Sequence, residues 1–321
     1  MTRIAGWAAT AGAAIGLAVL PLEASGYHQL EWAAVGVYFC AILGLNVLTG
    51  YSGQISLGHG AFMAIGGYTS AILIAHHHVH DVWTIPLAGF VAGGVGLAFG
   101  LPALRLTGLY LALATFAVAV AFPPLVRKFD HFTGGNQGLI LNLHRNDWLY
   151  YLSWSIAGAA LLVGWLVLAT PIGRNFRALR DSEVAAVSFG VSPALYKTLA
   201  FGISSFYAGV AGALFAISSA YVNPETFPIT LSLFLVVGLV VGGLGSLPGG
   251  IVGAILIQFL PTYAQHVSKQ APQVIEGAIL VGVMLLLPGG AAGLASLARK
   301  LQTPAHRPVG SDGGTGTARA S

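Results

Sequence analysis

Arg174, Arg177, Arg180, Asp181 and Glu183 stand within ten positions of a 321-residue chain that holds only 14 basic and 10 acidic side chains. Arginines three residues apart present planar guanidinium forks that grip carboxylates in paired hydrogen bonds. Glu183 adds the reverse polarity, and the small Ala185 and Ala186 permit close contact. This is chemistry for recognising another protein rather than for breaking bonds. On the residues alone two readings stay open: a solvated loop whose arginines fix membrane topology, or a helix that docks into a groove on a cytoplasmic partner.

A second set of polar residues sits among glycines in an otherwise apolar run. "GYSGQISLGHGAF" (50–62) carries Gln54, Ser56 and His59, and Asn46 lies one turn earlier. Polar groups at membrane depth face a bundle interior or a water-filled cavity, which makes these four candidates for a translocation pathway. The alternative is that the glycines serve close packing and the polar groups bond between helices. A second break, "GGLGSLPGG" (242–250), has the same orientation and forms a weak internal echo of the first. Interrupted segments in corresponding positions point to a transport pathway.

Other chemistries fall away. The run "HHHVHD" (76–81) offers imidazoles, but in a short outside loop a solvated run explains His76 to His80, and no metal is expected. None of Lys128, Lys197, Lys269 and Lys300 follows a glycine, so no phosphate-binding Gly-Lys-Ser/Thr loop exists here. No paired carboxylates or Glu-containing His motif supports an intramembrane enzyme, and Glu276 lies near the outer end of a span.

The elements that must carry these residues are membrane helices. Apolar residues form 56% of the chain and charged residues 7%, against roughly 25% in soluble domains. Apolar runs divide into about ten spans: 4–22, 30–49, 54–75, 84–105, 108–127, 149–170, 194–220, 229–247, 251–265 and 273–290. With the N-terminus inside, Arg3, Arg105, Arg174, Arg177, Arg180, Lys197, Arg299, Lys300, Arg307 and Arg319 all fall on the inner side. Only Arg127, Lys128, Arg145 and Lys269 fall outside. The expectation is an all-α bundle with both termini cytoplasmic and an uncleaved first helix. Cys40 is the lone cysteine, so no disulfide framework forms, and Trp32, Trp83, Trp148 and Trp154 suit an interfacial belt. The stretch 301–321 is small and polar and is expected to be disordered.

Between Pro171 and Pro193 the chain suits a cytoplasmic helix of about four turns over 172–190. Pro171 opens it, Gly190 supplies a left-handed exit and Pro193 forbids continuation. Its residues Pro171, Gly173, Arg174, Arg177, Arg180, Glu183, Ala185, Ala186 and Gly190, followed by Lys197 and "AFGISSFYAGVAGALFA" (200–216), resemble the LivM-type permeases of ABC importers for branched-chain amino acids. The segments 44–73, "LTGLYLALATFAVAV" (106–120), "TGGNQG" (133–138) and "VVGGLGSLPGGIVGAIL" (240–256) look like that family's segments in its order. The chain departs from the pattern at Asp181-Ser182 and Ser188-Phe189.

The resemblance implies a permease domain over residues 1–300 in a bacterial inner membrane, with no cofactor of its own. ATP and Mg would be used by cytoplasmic ATP-binding cassette subunits, so this chain is not expected to be an enzyme. A second homologous permease and an extracytoplasmic solute-binding protein complete the implied partners, with no nucleic acid among them. It also implies that Gly173, Arg174, Arg177, Arg180, Glu183, Ala186 and Gly190 form a coupling helix held in a cleft of the ATPase. The outer loops "DHFTGGNQG" (130–138) and "YVNPETFP" (221–228) would help to seat the binding protein.

Overall fold

The computed structural model describes residues 26–106, 108–141, 148–267 and 272–286. The expected first span (4–22) and the tail 301–321 lie outside the described residues.

The described chain is built from α1 (Gly26–Leu45), a π-helical turn (Asn46–Tyr51), α2 (His59–His77), α3 (Asp81–Ala103), α4 (Leu109–Lys128), the single turn α5 (Asp130–Thr133) and α6 (Trp148–Ala169). There follow α7 (Pro171–Asp181), α8 (Glu183–Ser188), α9 (Pro193–Ser219), α10 (Ile229–Gly242), α11 (Gly250–Val267) and α12 (Pro272–Leu286). Among the described residues, five helical stretches are long and apolar enough to cross a bilayer, and α3, α4 and α6 turn bulky side chains such as Phe90, Leu113 and Trp165 outward. A soluble protein does not expose such continuous apolar walls. The chain is a helical membrane protein.

The third expected span, 54–75, begins later than its apolar run. Residues 52–58 are irregular and the helix starts at His59. Likewise the span expected over 229–247 stops at Gly242, leaving a helix of 14 residues, about 21 Å, short of the ~30 Å hydrocarbon core. In both places glycines interrupt the helix: Gly53, Gly243 and Gly245 have positive φ values of 73°, 102° and 77°, conformations that other residues rarely adopt.

Helix α9 is the hub. It packs most extensively on α3, then on α2 and α1. The contacts are backbone against backbone because the facing residues are small. A Cβ on Gly212 would overlap the Met63 carbonyl oxygen and stand 2.9 Å from Gly67 N, while a Cβ on Gly66 would overlap Gly209. In lipid, where no hydrophobic force draws helices together, this close van der Waals approach holds the bundle. Gly212→Ala therefore forces rigid backbone apart and is expected to cost about 1–3 kcal/mol, readable as a lower unfolding temperature in detergent.

At one end of α9, β1 (Leu139–Ile140) pairs antiparallel with β2 (Tyr221–Val222), in the register Leu139 to Val222 and Ile140 to Tyr221. Tyr221 donates to the Gln137 carbonyl at 2.8 Å, and Arg127 pairs with Glu225. The segments 130–138 and 221–228 are thus joined in one cap. The α7–α8 segment lies at the other end of this 27-residue helix, about 40 Å away.

Candidate functional site

The site begins with how α7 and α8 are set. Thr170 caps α7, its hydroxyl accepting from Ile172 N at 3.3 Å, and Pro171 occupies the first turn. The single rod expected over 172–190 is instead two helices. Ser182 has extended backbone (φ −160°, ψ 111°), and its hydroxyl accepts from Ala185 N at 3.3 Å, so it starts a second helix. Serine competes for the backbone in this way, which makes it a good cap and a poor helix interior residue. Gly190, at φ 82°, makes the left-handed exit, and Pro193 opens α9.

The kink sorts the coupling-helix candidates into two faces. Gly173, Phe176, Leu179 and Ala186 are buried against the bundle; a Cβ on Gly173 would overlap the Leu168 backbone. Arg174, Arg177, Arg180, Glu183 and Gly190 are exposed, together with apolar Val184 (80%), Val187 (51%) and Phe189 (88%). Arg177 Nη2 donates to the Leu168 carbonyl at 3.2 Å, and Glu183 pairs with Lys197 Nζ at 2.7 Å.

Arg180 reaches inward along part of its length. Its Nη1 donates to the Gly50 carbonyl at 2.7 Å, and its aliphatic stem lies across Gly53, where a Cβ would stand 2.9 Å from Arg180 Cγ. Gly50 belongs to the π turn that closes α1. In the same turn Asn46, fully buried, donates through Nδ2 to the Ser246 carbonyl and accepts from Gly245 N, each at 2.9 Å. Tyr51 donates its hydroxyl to the Gly245 carbonyl at 2.6 Å. Both glycine breaks, nearly 200 residues apart in sequence, meet here. Gly50 permits it, because a Cβ there would overlap Asn46 and lie 2.7 Å from Gly245 N.

The other pathway candidates lie on the irregular return strand 52–58 and at the start of α2, and are buried with partners. Gln54 Nε2 donates to Ser52 Oγ at 2.7 Å and to the Lys197 carbonyl at 3.3 Å. Ser56 Oγ accepts from Gly58 N at 3.4 Å, and His59 Nε2 donates to the Ala41 carbonyl at 2.9 Å. Further along, Leu57 N donates to Thr115 Oγ1 and Gly60 N to Ser232 Oγ, both at 2.9 Å. An irregular backbone inside a bilayer survives only with such bonds. Two open hollows of about 370 and 350 Å³ lie between α3, α6 and α9. Their walls, including Trp83, Val163 and Phe206, are apolar, and none of Asn46, Gln54, Ser56 and His59 borders them.

In the histidine run, His78 ends α2 in the left-handed region and His80 Nδ1 lies 2.8 Å from Asp81. Residues that the motifs did not single out are Tyr51, Thr115, Ser232, Gly245 and Ser246, each ordinary in type and notable only through a distant partner.

Comparison with known proteins gives the chain a family. The family described as "Branched-chain amino acid transport system / permease component" matches residues 32–288. The high-affinity branched-chain amino acid transport system permease protein LivM of Salmonella typhimurium is 33% identical over 287 residues, covering 79% of this chain and 67% of the relative; LivM of Escherichia coli gives the same figures. LivH of Salmonella typhimurium is 24% identical over 80% of this chain and 91% of its own. No solved structure matches the chain.

Proposed function

This chain belongs to the branched-chain amino acid transport system permease family, and from that membership we propose that it is the membrane subunit of an ATP-driven importer of leucine, isoleucine and valine. The family match across residues 32–288 is the observation that carries this reading. The chain contributes no ATP hydrolysis. Its work is alternating access within one permease domain of about ten spans, with both ends inside, in the inner membrane of a bacterium.

The exposed side of α7 and α8 is the docking surface for a cytoplasmic ATP-binding cassette subunit, which uses ATP and Mg. Arg174 and Arg177 meet its carboxylates, and Val184, Val187 and Phe189 fill its apolar pocket. Gly173 and Ala186 serve by letting the helix lie close on the bundle. A second homologous permease completes the membrane unit. At the far end, the cap of 130–141 and 220–228 receives the solute-binding protein, and the Arg127–Glu225 pair lies on that cap. Asn46, Gln54, Ser56 and His59 belong to the moving core next to the pathway.

The test is uptake of labelled leucine in a strain deleted for this chain. Loss of uptake on deletion and its return on re-expression are expected, with the ATP-binding subunit co-purifying with a tagged copy. Unchanged leucine uptake, with loss of uptake of another amino acid, urea or a short amide, would move the substrate assignment. Solute movement by the purified chain alone would overturn the importer reading in favour of a secondary carrier.

A further inference from the structure

Besides the Arg177 bond to the Leu168 carbonyl of α6, two polar ties join the α7–α8 segment to the membrane part, one on each side of the Ser182 kink. Arg180 of α7 donates to the Gly50 carbonyl at 2.7 Å. Glu183, the first residue of α8, pairs with Lys197, whose carbonyl accepts from Gln54 Nε2 at 3.3 Å. Both ties lead to the same five residues, 50–54, which close the π turn and open the return strand. The chain through and around that segment is bonded onward: through Asn46 and Tyr51 to the 243–249 loop, through Leu57 to Thr115 of α4, and through Gly60 to Ser232 of α10. A displacement of α7 therefore has a hydrogen-bonded route into α2, α4, α10 and α11 that passes through interrupted backbone rather than along a continuous helix.

Interrupted backbone is the soft part of such a bundle. Gly53, Gly243 and Gly245 sit at positive φ, so small changes in their dihedrals move the attached helix ends without bending a helix. A guanidinium suits the role of strut. It is charged at every physiological pH, its planar fork resists rotation, and its donors bind carbonyl oxygens strongly.

We propose that Arg180 is a transmission residue rather than a docking residue. It carries the nucleotide-driven movement of α7 into the joined breaks at 46–54 and 243–249, and it contributes little to holding the ATP-binding subunit. The inference rests on the importer reading and specifies how the coupling helix acts within it.

The experiment uses the whole transporter, purified from membranes through a tag on this chain, with Cys40→Ala and Ile55→Cys placing one thiol on the exposed part of the return strand. Maleimide labelling of that thiol is measured with no nucleotide and after trapping with ATP and vanadate. With Arg180 present, trapping is expected to change the labelling rate fivefold or more. With Arg180→Met the change is expected to fall within twofold while the ATP-binding subunit still co-purifies at wild-type yield; Arg180→Lys, which keeps a charged donor, is expected to recover part of the response.

A full response in Arg180→Met, or no response with Arg180 present, would overturn the proposal. So would loss of the ATP-binding subunit in Arg180→Met, which would return Arg180 to the docking surface. Failure of the importer reading looks different: no ATP-binding subunit would co-purify even with Arg180 intact.

Discussion

Phe189→Asp is expected to weaken binding of the ATP-binding subunit by about 2 kcal/mol or more, roughly 30-fold in affinity, and to abolish solute uptake while the chain stays inserted. The reason is local. Phe189 ends α8 just before the left-handed turn at Gly190, so its ring projects off the helix and is 88% exposed. Val184 and Val187 of the same short helix are 80% and 51% exposed. An exposed aromatic next to small and branched apolar residues is the usual composition of an interface anchor, and truncating such an anchor removes more energy than its neighbours do. Introducing a carboxylate also strands a charge in the apolar pocket of the partner. The measurement is co-purification and affinity with a tagged chain, alongside membrane abundance. Wild-type affinity in Phe189→Asp would mean that the patch faces the lipid surface, and docking would then rest on Arg174 and Arg177.

Asn46→Leu is expected to do more damage, and to the fold itself. The side chain is fully buried and bridges two breaks in the chain, satisfying Gly245 N and the Ser246 carbonyl together. Leucine is similar in size and offers neither a donor nor an acceptor. Each backbone group left without a partner in the interior costs about 1–3 kcal/mol, so the pair costs about 2–6 kcal/mol. Set against a total stability of about 5–15 kcal/mol, that is expected to lower the unfolding temperature in detergent sharply and to leave little extractable protein. Asn46→Asp separates the two bonds: it keeps an acceptor for Gly245 N but replaces the donor to Ser246 with a carboxylate facing a carbonyl. An unfolding temperature unchanged in both variants would show that the two breaks hold together without this bridge.

The two variants also show how different links of the chain were readable in advance. The charged cytoplasmic-helix segment was legible because charge is scarce: five of 24 charged side chains in ten positions stand out in a chain of this composition, and only the family resemblance gave it a docking role. Its limits were legible as well, since Pro171, Gly190 and Pro193 act through their own backbone restrictions. The kink was not legible, although its residues were in view. Asp181-Ser182 stood out only as a departure from the family pattern, yet Ser182 is where the helix breaks and a second begins.

Asn46 illustrates the same boundary at membrane depth. Polar type and apolar surroundings said that it must face inward to a partner, because hydrocarbon offers none. They did not say which partner, and the bond runs to a loop nearly 200 residues later. Gln54, Ser56 and His59 likewise face inward; Gln54 and His59 find partners outside their own segment, at Lys197 and Ala41, while Ser56 bonds locally to Gly58 N. The span boundaries failed at the same places. An apolar run over 54–75 looks like one helix, but Gly53 at positive φ and the bonds from Leu57 N to Thr115 and from Gln54 to the Lys197 carbonyl hold residues 52–58 as irregular backbone.

What the sequence determined by itself was the solvent, the element type and the family. Those follow from composition, from local backbone restriction and from residue order, and none of them requires knowing which segments touch. Tertiary structure alone decided that the two glycine breaks close on each other, that Arg180 turns inward while Phe189 turns out, and that α9 lies at the centre. These are matters of partner choice between segments far apart in the chain. Apolar side chains are nearly interchangeable in lipid, so backbone approach at glycines and a few buried hydrogen bonds select the pairing.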